Sequence, residues 1–528
     1  MKRTQKGYDI IIVGAGSAGC VLADRLSADP HRRVLLLEAG PRDWHPFIHM
    51  PAGIAKLVTR MHLNWDYVTE PQAALQGRRL WWPRGRVLGG SSSINAMCYV
   101  RGDPRDYDEW AHMTGDERWS WTNVLPLFKR SEANARGADA RHGGDGPLSV
   151  SDLRHRNMLS EAFVVAAVSR DHPANADFNG ASQEGFGFYQ VTQRNGARCS
   201  TAASFLREAR GRANLTVRTH AVAQRVLIES GRAVGVDYRH HGRLTRAEAG
   251  EVILCGGTIN SPQLLMLSGI GPADHLREHD IRVIVDAPSV GSNLQDHLDV
   301  CTLQRCTKPV TYDRLSDIAT AFRYYTRRAG PGTSNVAEAG GFMRSARAPD
   351  ERCDRQFHFV PALLDDHGRH RLDGYGYTVH ACVLRPKSRG TIRLACADAS
   401  AKPLIQPNYL GDGRDLVGMI EAAKLSREIL AAPAFDGYRG EEIFPGAAAT
   451  SDADLAAFIR AKAESIYHPV GTCRMGGDAE AVVDTQLRVR GVDGLRVVDA
   501  SVMPCLPGGN TNAPTIMIAE RGAELIDA

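Results

Sequence analysis

The sequence has no apolar stretch approaching the roughly twenty residues that span a bilayer. The run Ile10-Ile11-Ile12-Val13 is too short for a signal-peptide core and flows into a glycine motif. Charge of one sign is also scarce. Lys and Arg number 64 against 60 Asp and Glu, a formal charge of +4. The basic residues are scattered, without a run or interleaved aromatics, so nucleic acid is excluded as a partner. The eleven cysteines contain no Cys-x-x-Cys pair and no Cys/His cluster at zinc spacing. They read as buried, reduced thiols of a cytoplasmic protein without a metal. No internal repeat or low-complexity tract occurs. At 528 residues the chain is too long for one core, so two large domains are expected.

What is present begins at the N-terminus. Tyr8-Asp9-Ile10-Ile11-Ile12-Val13 reads as a buried parallel strand. Gly14-Ala15-Gly16-Ser17-Ala18-Gly19 follows at once, then a helix over residues 17–26. A second strand, Arg33-Val34-Leu35-Leu36-Leu37, ends in Glu38. In this βαβ unit Gly14 allows a tight turn, Gly16 lets backbone approach a pyrophosphate, and Gly19 lets helix pack on sheet. The helix N-terminus faces the phosphates. Glu38 is placed to accept ribose hydroxyls and to repel a 2′-phosphate. NAD and FAD both satisfy this fingerprint.

A second cluster, Pro83-Arg84-Gly85-Arg86-Val87-Leu88-Gly89-Gly90-Ser91-Ser92-Ser93-Ile94-Asn95, offers backbone and hydroxyl donors with little bulk, suited to a ring or a phosphate. Residues 130–146 are polar and glycine-containing and read as an exposed excursion. Glu251-Val252-Ile253-Leu254 is another buried strand. The following helix is expected to start at Ser261 as cap, with Pro262 at its first position. Leu495-Arg496-Val497-Val498 is a further strand, ending in Asp499. Elements of the nucleotide domain thus recur at three distant places. Residues 300–460 look different, mixing strands such as 390–394 with helices such as 416–430, and read as an inserted substrate domain. Near the C-terminus, Tyr467-His468-Pro469 locks a histidine between an aromatic residue and a proline. That makes His468 a candidate base for the cofactor's reaction.

These motifs together resemble the glucose–methanol–choline (GMC) oxidoreductases along essentially the whole chain. Residues 85–95 fit the family's first signature and residues 257–271 its second. Tyr467-His468-Pro469 and Gly509-Asn510-Thr511-Asn512-Ala513-Pro514 fit the catalytic region. The sequence is most similar to the choline-dehydrogenase-like branch. Within it, residues 179–192 and 333–342 resemble membrane-associated alcohol dehydrogenases of alkane degradation, with polyethylene-glycol dehydrogenases as neighbours.

The resemblance implies an α/β and α+β fold: a Rossmann-like FAD-binding domain assembled from residues 1–155, 195–300 and 462–528, with a mixed-sheet substrate-binding domain from residues 156–194 and 301–461. It implies FAD rather than NAD. Gly14, Gly16, Ser17, Ala18, Glu38, Ala39 and Ala223 would hold the ADP half. Arg86, Gly89, Gly90, Asn95, Ala96 and Met97 would line the pyrophosphate and the flavin. Asp499 and Ala500 would meet the ribityl-phosphate region, and Tyr467, Thr511 and Asn512 the flavin ring. Ile94 stands where some choline oxidases carry a flavin-linking histidine, so FAD is expected to be non-covalent. His468 would be the base and Asn510 the donor to the substrate oxygen, with Asn512 the competing choice. His297, in Gly291-Ser292-Asn293-Leu294-Gln295-Asp296-His297, is expected to be structural. Glu338 is a candidate to face a cation such as choline.

The expected activity is oxidation of primary aliphatic alcohols to aldehydes, with electrons passed to a quinone or another acceptor that is not NAD. Choline dehydrogenase and an oxygen-using alcohol oxidase are the alternatives. Resemblance also implies peripheral contact with the cytoplasmic face of the inner membrane. The oligomeric state is open.

Overall fold

The computed structural model describes residues 7–57, 62–370 and 372–528. Its first sheet grows from the motif-bearing strand. Tyr8–Val13 pairs in parallel with Val34–Leu37 on one side and with the end of Arg243–Leu254 on the other. Leu215–Arg218 extends the sheet beyond Val34–Leu37, and Leu495–Val497 pairs beside residues 252–254. The central strands are apolar and buried on both faces, as covered parallel strands must be. Arg243–Leu254 changes character along its length. Its first half alternates exposed and covered residues and pairs antiparallel with Arg232–His240, which pairs in turn with Ala221–Glu229. One strand therefore joins a parallel nucleotide-type sheet to an antiparallel meander.

The second sheet runs Arg439–Phe444, Leu298–Cys306, Gly376–Val383, Arg355–Val360, Ala339–Met343, Gly185–Phe188, with Glu464–Ser465 beside the start of Leu298–Cys306. Its named strands pair antiparallel, with one isolated parallel bridge from Ala174 to Phe186, while parallel and antiparallel pairings mix in the first sheet. Helix Gly413–Leu430 packs on the Gly376–Val383 strand through its buried face.

The C-terminal helix Asn512–Asp527 crosses the motif helix Ser17–Leu26. Buried Glu520 accepts from Arg25 Nη2 at 2.8 Å, and the Ser17 hydroxyl donates to Asn512 Oδ1 at 2.7 Å. The chain's two ends are thereby tied together at the nucleotide motif.

Two local expectations fail for physical reasons. Helix Gly257–Leu267 starts four residues before Ser261, so Pro262 lies inside it. The carbonyl of Thr258, which a residue other than proline at 262 would have bonded, instead accepts the Thr472 hydroxyl at 2.6 Å. Ser261 does not cap; its hydroxyl donates to Asp499 at 2.6 Å. The polar stretch 130–146 is not simply exposed. Glu132, Asn134 and His142 are buried because Arg101, also buried, needs them: its Nη2 lies 2.6 Å from Glu132 Oε2. Polarity marked a charged core here.

Candidate active site

An elongated cavity runs between the two sheets, from Glu38 at one end to His468 and Asn510 at the other. Three helices begin on its wall, at Ser17, Gly257 and Asn512, each aiming the positive end of its dipole inward. The glycines are required there. Gly14 has φ +103°, and a Cβ on it would lie 2.4 Å from the Cys255 carbonyl oxygen. A Cβ on Gly90 would lie 2.7 Å from Gly16 Cα, so the two signature loops touch backbone to backbone. Glu38 Oε1 accepts from Gly40 N at 2.8 Å and Oε2 from Ala15 N at 3.0 Å. Burial pushes its carboxyl up to about 7, and these N–H bonds oppose the rise.

Gly14, Gly16, Ser17, Ala18, Glu38, Ala39, Gly90, Asn95, Ala96, Met97, Ala223, Tyr467, Asp499, Ala500, Thr511 and Asn512 all line this cavity. Arg86 and Gly89 do not. The Arg86 guanidinium lies 4.9 Å from the Trp65 ring centroid, and Gly89 N donates to Ala15 O at 2.7 Å. Asp499 is partly occupied: it accepts from Gly257 N and Ser261 and so caps the helix that Ser261 was expected to cap.

At the other end the backbone is strained. Tyr467 has φ +70°, rare for an aromatic residue. Three bonds hold it there. Arg84 Nη2 donates to Tyr467 O at 2.7 Å, Tyr467 N donates to Ser465 Oγ at 2.8 Å, and His468 N donates to Asp296 Oδ1 at 2.7 Å. Pro469 restricts the other side. The result fixes where the His468 ring points.

A hydrogen-bond chain then fixes its tautomer. The Leu384 carbonyl can only accept, so His297 Nε2, 3.2 Å away, carries a proton. Burial depresses His297 to about 3, which keeps the ring neutral and leaves Nδ1 as an acceptor. His468 Nδ1 lies 3.0 Å from it and donates. His468 Nε2 is therefore an unprotonated lone pair, 3.0 Å from Asn510 Nδ2. Gln356 Nε2 donates to Asn510 Oδ1 at 3.0 Å and so orients that amide. Burial, with His297, His358 and Arg84 nearby, holds His468 well below the usual histidine range. Asn512, by contrast, accepts from Ser17. The structure brings Asn510 to His468.

His297, read from sequence as structural, bonds the His468 ring directly, a contact the sequence did not reveal. Arg84, Asp296 and Gln356 were also missed. Only the position of Asp296 and His297 together in one loop hinted at this, since both act on the segment around His468. Asp299, Cys301 and His380 also meet, with His380 Nδ1 2.6 Å from Asp299 Oδ2 and 3.1 Å from Cys301 Sγ. Cross-strand pairing across 79 residues made that group invisible in the sequence.

The cavity around His468 is walled by Met97, Cys98, Val336, Ala337, Val360, Leu364 and Ile466, with His358 and His367. Burial lowers both of these histidines to about 4, so they are neutral. Glu338 is not on this wall. It is fully buried and accepts from Ser160, Ser334, Tyr312 and Asn157 N, which occupies its carboxylate.

The residues present fit FAD: a glycine cradle between three helix N-termini, an acid at the ribose end, and a long cavity that ends at a neutral imidazole. Comparison agrees. The GMC oxidoreductase family matches residues 8–299 and 386–519. The chain is 53% identical to alcohol dehydrogenase [acceptor] of Pseudomonas putida, over 98% of this chain and 95% of that protein. It is 46% identical to mitochondrial choline dehydrogenase of Mus musculus, over 98% and 89%. Among solved structures it resembles a formate oxidase variant from Aspergillus oryzae RIB40 studied for FAD modification, with TM-score 0.93, 27% identity and coverage of 99% and 98%. GMC oxidoreductases are FAD-dependent, and the chain belongs to this family.

Proposed function

We propose that this chain is an FAD-dependent dehydrogenase that oxidises primary aliphatic alcohols to aldehydes. The observation that carries the reading is the unprotonated His468 Nε2 facing Asn510 Nδ2 at the end of an apolar cavity. An alcohol hydroxyl placed between them exchanges one 3.0 Å bond for two. Its proton goes to His468 Nε2, and Asn510 Nδ2–H donates to the oxygen as negative charge develops. A positioned donor of this kind is worth about 3–4 kcal/mol of barrier. FAD, when bound, supplies the acceptor for the hydride that leaves the α-carbon. His297 stabilises the imidazolium that forms, through a bond that becomes charge-assisted as His468 gains its proton.

The same reading assigns the cofactor half to residues 1–155, 195–300 and 462–528, and the substrate half to residues 156–194 and 301–461. FAD is held without a covalent bond in this reading, because Ile94 stands where the resemblance places a flavin-linking histidine. Electrons pass to a quinone or similar acceptor. The reading includes peripheral contact with the cytoplasmic face of the inner membrane, which rests on the family resemblance; no helix among the described residues is long and apolar enough to cross a membrane.

Choline dehydrogenase is the rival, favoured by the relative of 46% identity. Against it, Glu338 is spent and the substrate wall is mostly apolar, with His358 and His367 neutral. Anaerobic absorbance with octanol and with choline, added separately, tests the choice. Bleaching of the flavin by octanol and not by choline supports the proposal. Bleaching by choline alone refutes the aliphatic assignment, and bleaching by neither refutes the activity.

A further inference from the structure

Asp299, Cys301 and His380 gather three different metal-ligating atoms on one face of the second sheet. Side chains alternate along a strand, so Asp299 and Cys301, two residues apart in Leu298–Cys306, point to the same side. Cys301 is in register with His380 on the neighbouring strand Gly376–Val383. The pairing brings Cys301 Sγ to 3.1 Å from His380 Nδ1 and 3.6 Å from Asp299 Oδ2, with His380 Nδ1 2.6 Å from Asp299 Oδ2. This is the side of the catalytic cavity: His380 lines it, and its ring stacks on that of His367, 5.5 Å away.

Hydrogen bonding alone does not account for the group. Asp299 is fully buried, and its Oδ1 accepts no hydrogen bond among the described residues. Its only ion-pair partner among them is His380; Glu464, in register beside it, is taken up by Arg78. A buried carboxylate with one oxygen unpaired is costly unless a cation meets it. The atoms offered, a thiol sulfur, an imidazole nitrogen and a carboxylate oxygen, are those that zinc takes. Zinc bonds of about 2.0–2.3 Å at tetrahedral angles set ligand atoms roughly 3.3–3.6 Å apart. The sulfur–oxygen separation already matches. The imidazole must withdraw by under an ångström from its two neighbours, which the unpaired Oδ1 permits by letting the carboxylate turn. Cys301 is half-buried rather than sealed, which leaves an entry path and a fourth position for water.

We propose that Asp299, Cys301 and His380 form a binding site for one divalent cation of the zinc class. Cys301 binds as the thiolate, its proton passing to solvent, and the ion supplies the positive charge that Asp299 lacks. The inference is independent of which alcohol the enzyme oxidises. Through His380 and His367, whose ring lies 4.8 Å from that of Tyr467, the site adjoins the strained segment that carries His468.

The test is equilibrium dialysis of the FAD-loaded enzyme against zinc sulfate, followed by X-ray absorption at the zinc edge. Cys396, the exposed cysteine, is replaced by serine throughout. One zinc per chain is expected, with a single sulfur neighbour at about 2.3 Å among nitrogen and oxygen neighbours. Cys301→Ser should weaken zinc binding at least about tenfold and remove the sulfur neighbour, since loss of even a group behind a ligand costs that much. Asp299→Asn should weaken binding and keep the sulfur. FAD content and Tm without zinc, measured on each variant, establish that it is folded. An enzyme that takes up no zinc overturns the proposal, as does native-level uptake by folded Cys301→Ser. Zinc with nitrogen and oxygen neighbours alone also overturns it, and assigns the ion to the adjoining rings of His220, His240 and His241.

Discussion

Replacing His297 tests the tautomer argument without touching the residues that meet the substrate. In His297→Leu, a side chain of similar bulk removes the acceptor for His468 Nδ1–H. Two losses follow. The ring no longer has a reason to keep its proton on Nδ1, and the imidazolium formed during turnover loses a bond that would have become charge-assisted. A hydrogen bond to a charged group is worth about 1.5–3 kcal/mol, which converts to a fall of roughly 10- to 150-fold in kcat/KM. His297→Gln restores part of it, because the amide oxygen can accept from Nδ1. The assay is anaerobic stopped-flow reduction of bound flavin by octanol, with FAD content and Tm measured alongside. If the folded, FAD-loaded Leu variant reduces at the native rate, or if Gln is no better than Leu, the argument is wrong.

Because burial holds His468 well below its ordinary value of 6.5, kcat/KM should stay flat as pH falls from 8 through 6.5; a fall centred near 6.5 would show an exposed, ordinary histidine. Glu338→Gln presents an amide donor to groups that already donate, so it should cost about 1–3 kcal/mol of stability in a denaturant titration while leaving the preference for octanol over choline unchanged. His142 is raised to about 9, chiefly by its bonds to Asp177 and Glu132. Its folded value exceeds the unfolded one, so its stabilisation is full below about 6.5 and lost as pH rises through 9. Tm should fall across that window, and less so in Asp177→Asn.

How much was legible in the sequence depended on range. The nucleotide motif was readable because Gly14, Gly16 and Glu38 act within one βαβ unit, where strand and turn chemistry fix positions locally. His468 was readable because its neighbours in sequence, Tyr467 and Pro469, are also its constraints. What orients it was not. His297 and Asp296 lie about 170 residues away and Gln356 on a strand of the other sheet, and no local pattern encodes those contacts. The Ser261 error has the same root: Pro262 breaks a helix unless something rescues the Thr258 carbonyl, and the rescuer, Thr472, is 214 residues on. Polarity misled at residues 130–146 because a buried arginine, Arg101, demanded partners there.

The central claim is that His468 takes the hydroxyl proton while the α-carbon gives up a hydride. Anaerobic reduction of the native enzyme by octanol, by 1,1-dideuterated octanol, and of His468→Asn by octanol, tests it in one series. The account predicts slower bleaching with the deuterated alcohol, and a further loss of about 10²–10⁴ in rate for the variant with FAD still bound. Native-rate bleaching in His468→Asn would contradict it.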